Sequence, residues 1–535
     1  MEQTVLIRNI RRELDASEEA FLSVCRKRWD IPADVPMRLR IVRQALDARK
    51  KHDICFVIHA EVTLDARLAK RLLHDKKLDA EPVQKAKQEP FAFGSEPQNG
   101  RIVVVGLGPG GLFAAWQLAM NGYRPLVIER GRPIDERVRD VETYWTGGPL
   151  DGESNVAFGE GGAGTFSDGK LTTRIKDEKI DGVLRQFVAC GAPEEIAYLA
   201  KPHIGTDRLR TVVRAMREEI VSLGGEVRFS TKLKEIRMAN GVLRSIVVSQ
   251  NGRIETVPCA SMVLAIGQGA RDTVRMLFDA GIAMAPKAFA VGVRAEHPQT
   301  LIDRSQYGEF ASHPRLGAAE YRLTGKSGDR GVYTFCMCPG GRVVASASGA
   351  EQIVVNGMSD YARDGENANA AVVVQVGPED FGTDPLAGLR FQERLETDAF
   401  RLGGGLAPAC RVADFLEHRK TTRFQSVRPT YRPAVEGANL WDCLPAFAAQ
   451  GMQDGLLSFG AQLKGYDLPD AVLTAVESRT SSPLRILRGT DRQSVSCANL
   501  YPVGEGAGYA GGIVSAAVDG WNAAEAIMRR FRKEL

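Results

Sequence analysis

Ile102-Val-Val-Val-Gly-Leu-Gly-Pro-Gly-Gly111 is the stretch whose reading decides the fold. Ile102–Val105 reads as a buried strand. The turn Gly106-Leu107-Gly108-Pro109-Gly110-Gly111 is a G-x-G-x-x-G that follows it directly and opens a helix over Gly110–Asn121. The pattern means little by itself, but between a strand and a helix it is a dinucleotide fingerprint. Gly106 allows the tight turn, Gly108 lets backbone come against a pyrophosphate, and Gly111 lets helix and strand pack closely. A phosphate then lies on the helix N-terminus, where free N–H groups and the helix dipole favour negative charge. A second strand, Pro125–Glu129, ends 23 residues after Gly106 in a carboxylate placed to accept hydrogen bonds from ribose hydroxyls. That carboxylate would repel a 2′-phosphate, so NADP is not expected at this turn. Arg130, which follows it, is counted in the same site.

The composition fits such a fold. Of 535 residues 44% are apolar, 25% charged and 7% aromatic, the profile of a globular protein of three or so units. A net charge of +4 over this length implies neither a nucleic-acid nor an anionic-membrane partner. Glycine stands out at 55 of 535, about a tenth, against a usual share of ~7%. Nine cysteines with no C-x-x-C spacing predict neither a disulfide framework nor a zinc site, and thiols kept reduced in the cytoplasm fit better. Charged residues in the first fifteen leave no room for a signal peptide. The longest uncharged run, Ile102–Tyr123, holds Gly106, Gly108, Pro109, Gly110 and Gly111 in its middle and is not expected to span a membrane.

Four segments are expected. Residues 1–95 form a small α+β module, with strands near Val5–Ile7, Met37–Val42 and Ile54–Val62 and a helix Ala20–Arg28 capped by Ser17. Its exit, Lys76–Gly100, reads as a linker rich in Pro and Gly. Residues 96–285 form the first part of an α/β dinucleotide-binding domain. Residues 286–482 form an inserted mixed α+β substrate domain, with helices Phe391–Arg401, Leu456–Leu463 and Asp470–Glu477. Residues 483–535 return to the first domain, ending in a helix Ile513–Arg532.

That return separates FAD from NAD. A nicotinamide dehydrogenase continues at once into a second β-α-β half. Here the chain leaves the second strand for a charged helix and the loop Gly159-Glu-Gly-Gly-Ala-Gly-Thr165. It comes back only at Tyr501-Pro-Val-Gly-Glu-Gly-Ala-Gly-Tyr-Ala-Gly-Gly512, a second Gly-rich turn from strand to helix. Two such turns, 398 residues apart counting Gly106 to Gly504, suit a long cofactor clasped from both ends. FAD is expected, bound non-covalently. No second strand-linked fingerprint is found for a nicotinamide nucleotide, so NAD(P)H as a reductant would bind transiently.

The fingerprint with Glu129, the segment Asn155–Leu171, the strand end Leu264-Ala-Ile-Gly267 and the Gly504–Gly512 run resemble the family of FAD-dependent dehydrogenases of unassigned substrate. That family lies within the glutathione-reductase-type two-dinucleotide-fold flavoproteins, and the similarity covers nearly the whole chain. The resemblance implies a discontinuous Rossmann-type FAD domain in which the loop carrying Gly161, Gly162, Ala163, Gly164 and Thr165 passes over the pyrophosphate and the flavin ring. It implies that Leu233 offers a backbone amide to the adenine and that Ala265 and Gly267 close over the adenosine half. Related flavoproteins place Asp after Gly504, where it holds the ribityl chain; this sequence has Glu505. Gly511, Gly512 and Ile513 would aim N–H groups at the flavin.

On the substrate side Arg294, Arg479 and Arg485 are candidates for binding an anionic small molecule, with internal ion pairing the alternative. The catalytic residues are left unassigned, and no metal site is expected. Cys336-Met-Cys338 would place two thiols on one strand face, read as packing rather than as a redox pair. The function implied is hydride transfer between an organic substrate and flavin. The rivals are a flavoprotein acting on RNA through the basic cluster Arg38, Arg40, Arg43, Arg49, Lys50 and Lys51, or a non-catalytic FAD-bound scaffold. Residues 1–100 hold 19 Lys and Arg against 16 Asp and Glu, a net of +3 with few aromatics, so a nucleic-acid partner is not expected. Neither a membrane partner nor any particular oligomeric state is implied.

Overall fold

The computed structural model describes residues 2–83 and 91–533. The chain opens with β1 (Glu2–Glu13), α1 (Glu18–Arg28), β2 (Arg38–Asp47), β3 (Cys55–Asp65), α2 (Ala66–His74) and β4 (Ala80–Pro82). These form a βαββαβ unit whose antiparallel sheet runs β2-β3-β1-β4. Ser17 caps α1, its hydroxyl accepting the Ala20 N–H at 3.1 Å, with Glu18 and Glu19 in the first turn. Alternate residues Val5, Ile7, Ile58, Ala60 and Val62 are buried in a core shared with Phe21, Trp29 and Leu72 of the helices. Three of the six residues of the basic cluster are ion-paired: Arg40 meets Glu61 at 2.7 Å, Arg49 meets Asp47 at 2.6 Å, and Arg38 pairs with Glu2.

The described parts of the expected linker are bonded into the fold at both ends. Ala80–Pro82 adds an edge strand to β1, Val5 facing Pro82, a place where proline removes no needed donor. Gly94 and Glu96 donate N–H bonds to the carbonyls of Met528 and Arg530 at 2.8 and 3.1 Å, fixing this segment to the C-terminus. Pro90 of that stretch lies outside the described residues.

The α/β part follows: β5 (Arg101–Val105), α3 (Pro109–Met120), β6 (Leu126–Ile128), α4 (Ile134–Trp145), α5 (Lys179–Ala189), α6 (Thr206–Ser222), β7 (Glu226–Arg228), β8 (Thr231–Ala239), β9 (Val242–Gln250), β10 (Arg253–Leu264) and α7 (Arg271–Asp279). Next come β11 (Met284–Pro286), β12 (Phe289–Pro298), α8 (Gln299–Tyr307), β13 (Thr324–Ser327), β14 (Arg330–Cys338), β15 (Arg342–Ala345), β16 (Val355–Met358) and β17 (Asn367–Val376). The remaining elements are α9 (Pro378–Phe381), α10 (Ala387–Leu402), β18 (Ala407–Arg411), α11 (Val412–Leu416), β19 (Val435–Gly437), α12 (Ala446–Gln462), β20 (Val472–Glu477), β21 (Leu484–Ile486), β22 (Leu500–Pro502) and α13 (Ile513–Met528).

The parallel strands run β7-β6-β5-β10, and β22 lies parallel to β10 on its other side. Thus the last strand and helix complete the sheet begun at Arg101. The first half of β10 turns away to pair antiparallel with β9, which carries β8. The second large sheet runs β13-β14-β17-β12-β20-β18-β19. Its strand β20 corrects the helix expected over Asp470–Glu477. Val472, Thr474 and Val476 are β-branched, and every residue of the strand is buried between β12 and β18. With both faces covered, no 3.6-residue stripe is needed and β propensity decides.

α13 crosses α3 with almost no side chain between them. A Cβ on Gly520 would run into the Gly110 carbonyl, as one on Gly111 would into that of Gly106. Gly520→Ala should therefore destabilise the protein by about 1–3 kcal/mol through overpacking. Gly152→Ala, at an exposed site with nothing within 4 Å of the new Cβ, should stay within about 0.5 kcal/mol of the parent. Denaturant unfolding of both variants checks this, and equal midpoints would refute the close contact.

Candidate functional site

The crossing of α3 and α13 brings two helix N-termini side by side. Neither has a side-chain cap: Gly108 precedes α3 and Gly512 precedes α13, both in extended backbone. The loop between α4 and α5 passes over them. Gly162, at φ +64°, lies so close that a Cβ there would stand 2.9 Å from the Gly108 Cα, and a Cβ on Gly164 would touch Ile513 at 3.2 Å. The first-turn N–H groups of both helices have no intrahelical partner. Among the described residues, the Ala163 and Gly164 N–H groups find no acceptor either. The result is a cradle of bare backbone donors at the positive ends of two helix dipoles, which fits a diphosphate.

Glu129 ties the cradle together. One carboxylate oxygen accepts the Leu107 N–H at 2.8 Å, and the other accepts those of Gly131 and Gly159, each at 2.9 Å. A carboxylate takes about four hydrogen bonds, so one acceptor position remains for a hydroxyl. Arg130 lies over the Phe158 ring at 3.9 Å and pairs with Asp272 of α7 at 2.8 and 3.1 Å, so it holds the loop rather than pointing into the cradle. Glu160, fully buried, accepts the Ile134 N–H at the start of α4 and the Arg217 Nε–H, both at 2.7 Å.

The other expected cofactor residues surround this centre. The Ala265 N–H donates to the Val105 carbonyl at 2.9 Å, and Gly267 lies against Gly506. Leu233 is buried in β8 opposite Val248. Thr165 is buried, and its carbonyl accepts the Thr206 hydroxyl at 2.6 Å. Asp519 accepts the Gly504 N–H at 2.8 Å and is itself held by Arg488 and Arg492. Glu505 has one long hydrogen bond, from Gln268 Nε2 at 3.4 Å. Burial pushes its carboxyl up to about 7, with Lys287 acting in the opposite direction.

Arg137 is absent from the sequence expectations, yet it organises the loop, donating to the carbonyls of Asn155, Val156, Glu160 and Gly162. The signal was there: Ile134, Arg137, Val141 and Trp145 form one helical stripe, and a charge on an apolar stripe demands partners.

The three candidate arginines part company. Arg294 is fully buried, with Nε on Glu477 at 3.1 Å and the rest of its fork on the Cys336 carbonyl, Asn369 and Asn356. Arg479 shares the buried Glu396 with Arg271, at 2.9–3.0 Å against 2.7 Å. Burial raises the Glu396 carboxyl, but the two guanidinium groups outweigh it and hold the group down at about 2. Arg485 is exposed, lies 5.0 Å from the Tyr509 ring, and has no carboxylate partner among the described residues.

The expectation that Cys336 and Cys338 share a strand face is wrong. Cys336 has φ +43° and the register jumps between Phe335 and Cys338, so period-two alternation is lost. Cys336 is exposed, Cys338 is buried, and both are free thiols.

A model of "FAD-dependent protein, C-terminal domain-like" matches residues 288–480. An uncharacterized protein of Clostridium beijerinckii is 47% identical over 534 residues, covering 98% of this chain and 99% of that one. The chain belongs to this family of FAD-dependent proteins. Among solved structures, a geranylgeranyl bacteriochlorophyll reductase-like protein of Thermoplasma acidophilum is 13% identical, with a TM-score of 0.34 over 80% of this chain and 78% of that one. CtdE in complex with FAD is 13% identical, with a TM-score of 0.31 over 80% and 84%. At such scores neither places any residue of the site.

Glu505 sets a pH dependence for the apoprotein. Its folded pKa lies above the usual carboxyl value of 4.5, so its contribution to stability is full at low pH and is lost as pH rises toward about 7. Glu505→Gln should remove that loss, flattening the stability profile between about pH 4.5 and 7 by up to about 1.4 kcal/mol per pH unit. Urea unfolding across this window measures it, and parallel profiles for parent and variant would contradict the assignment.

Proposed function

We propose that the chain is an FAD-dependent oxidoreductase that exchanges a hydride between a small organic substrate and non-covalent FAD. The observation that carries this is the bare-backbone cradle: two uncapped helix N-termini, the Ala163 and Gly164 amides, and Glu129 with one acceptor position to spare. When bound, FAD supplies the redox chemistry, and the protein supplies orientation and electrostatics.

In this reading the α3 N-terminus and the 159–165 loop hold the diphosphate. Glu129 takes an adenosine hydroxyl, with Leu233, Ala265 and Gly267 around the adenosine half. Glu505 lies beside the ribityl chain, and Gly511, Gly512 and Ile513 offer N–H groups where negative charge develops on reduction. Of the candidate substrate groups, Arg485 keeps a free guanidinium for an anionic substrate, while Arg294 and Arg479 are engaged internally. NAD(P)H as a reductant would bind transiently. No described helix is long and apolar enough to cross a membrane, and a cytoplasmic location without a membrane or nucleic-acid partner is part of the proposal.

The protein should purify yellow and release intact FAD, not FMN, on denaturation. Glu129→Arg should strip the cofactor, because it removes a ribose acceptor and three backbone hydrogen bonds in one step. Hydrogen bonds to a charged group contribute about 1.5–3 kcal/mol each, so a loss of well over tenfold in affinity is expected. Glu505→Ala should be milder, since the Gly-rich turn remains. Titration of apoprotein with FAD, checked by circular dichroism, tests both; released FMN or parent-like binding by Glu129→Arg would sink the reading.

Cys336 and Cys338, which do not share a strand face, have no redox role in this account. Cys336→Ser with Cys338→Ser should therefore leave anaerobic flavin reduction intact. Loss of a reoxidisable two-electron step at unchanged FAD content would show otherwise.

A further inference from the structure

Arg137 is fully buried on the inward stripe of α4, where an aliphatic side chain would pack without desolvating a charge. Among the described residues, no carboxylate lies within hydrogen-bond distance of its guanidinium. Nε donates to the Asn155 carbonyl and Nη2 to that of Val156, each at 2.9 Å. Nη1 donates to Glu160 at 2.6 Å and to Gly162 at 3.0 Å. The Phe166 ring lies 4.8 Å from the guanidinium carbon. Burial lowers the pKa to about 10, with Glu129 and Glu160 opposing, so the group stays a cation at neutral pH.

The planar trans peptide dictates what this does on the other side of the loop, because the C=O of one residue and the N–H of the next point in opposite directions. With the Glu160 carbonyl turned onto Arg137, the Gly161 N–H points away and donates to the Leu107 carbonyl at 2.9 Å, inside the fingerprint turn. With the Gly162 carbonyl turned the same way, the Ala163 N–H also points away from Arg137. That is the side on which Gly162 meets Gly108 and Gly164 meets Ile513. Ala163 is exposed, and its N–H has no acceptor among the described residues.

We propose that Arg137 is the positioning residue of the cofactor site: by gathering four loop carbonyls on one buried guanidinium, it aims the Ala163 N–H at a diphosphate seated on the N-terminus of α3. This rests on the FAD reading above and adds the residue that shapes the loop for it. Lysine keeps the charge but not the planar five-donor fork, so it cannot hold four carbonyls in this arrangement.

The test compares FAD binding to the apoproteins of the parent, Arg137→Lys, Arg137→Met and Val141→Ala. Thermal midpoints and amide hydrogen exchange are measured on the same samples. Arg137→Lys and Arg137→Met should bind FAD at least tenfold more weakly, with faster exchange confined to peptides covering 155–165. Val141→Ala removes packing from the same stripe; it should lower the midpoint while keeping FAD affinity within about threefold. If Arg137→Met does not fold, Arg137→Lys decides alone. Parent-like affinity in Arg137→Lys, or an affinity loss in Val141→Ala that matches it, would overturn the positioning role. Parent apoprotein that takes up no FAD would overturn the cofactor reading itself, and this proposal with it.

Discussion

The contact between α3 and α13 at Gly110 and Gly520 holds the rest in place. Two helices can present their N-terminal dipoles to one extended cofactor when their axes pass within backbone distance, and that close approach requires glycine at the crossing. The same requirement explains the chain path. α13 must be delivered by a strand already in the sheet, and β22 beside β10 does this after an excursion of more than two hundred residues through the second sheet. The 159–165 loop then has to approach as backbone alone, and Gly162 allows it.

Bare backbone cannot hold its own shape, so charged side chains behind it do. Glu129 gathers three N–H groups, Arg137 gathers four carbonyls, and Glu160 joins the start of α4 to Arg217. Each is buried, and each meets backbone or an opposite charge, as burial of a charge demands. On the far side, Glu396 between Arg271 and Arg479 plays the same part, joining α7 to α10 and to the return toward β21. The Arg479 carbonyl accepts from Gln268, which also reaches Glu505, so this ion-pair cluster is wired to the candidate ribityl residue.

What could be read from the sequence was whatever local pattern controls. Arg101–Val105, the turn after it and α3 followed from an apolar run, four glycines and a proline, and Ser17 marked the start of α1. The family's FAD dependence was legible in the same glycines. What escaped depends on tertiary surroundings. β20 reads as a helix in the sequence because a strand buried on both faces carries no alternation. The bulge at Cys336 has no marker in the sequence. Arg294 and Arg479 read as available because their partners lie far away in the chain, Glu477 being 183 residues from Arg294 and Glu396 83 residues from Arg479. Arg137 stands among Ile134, Val141 and Trp145 on one apolar stripe, and a charge in that place signals buried partners without naming them.

The most direct test of the central claim is amide hydrogen exchange of the full chain with and without FAD, resolved by peptide. The account predicts that FAD protects three separated segments together, residues 106–111, 159–165 and 504–515, with no change in the N-terminal strands around 38–51. Protection confined to one of the three, or centred on the N-terminal module, would contradict it.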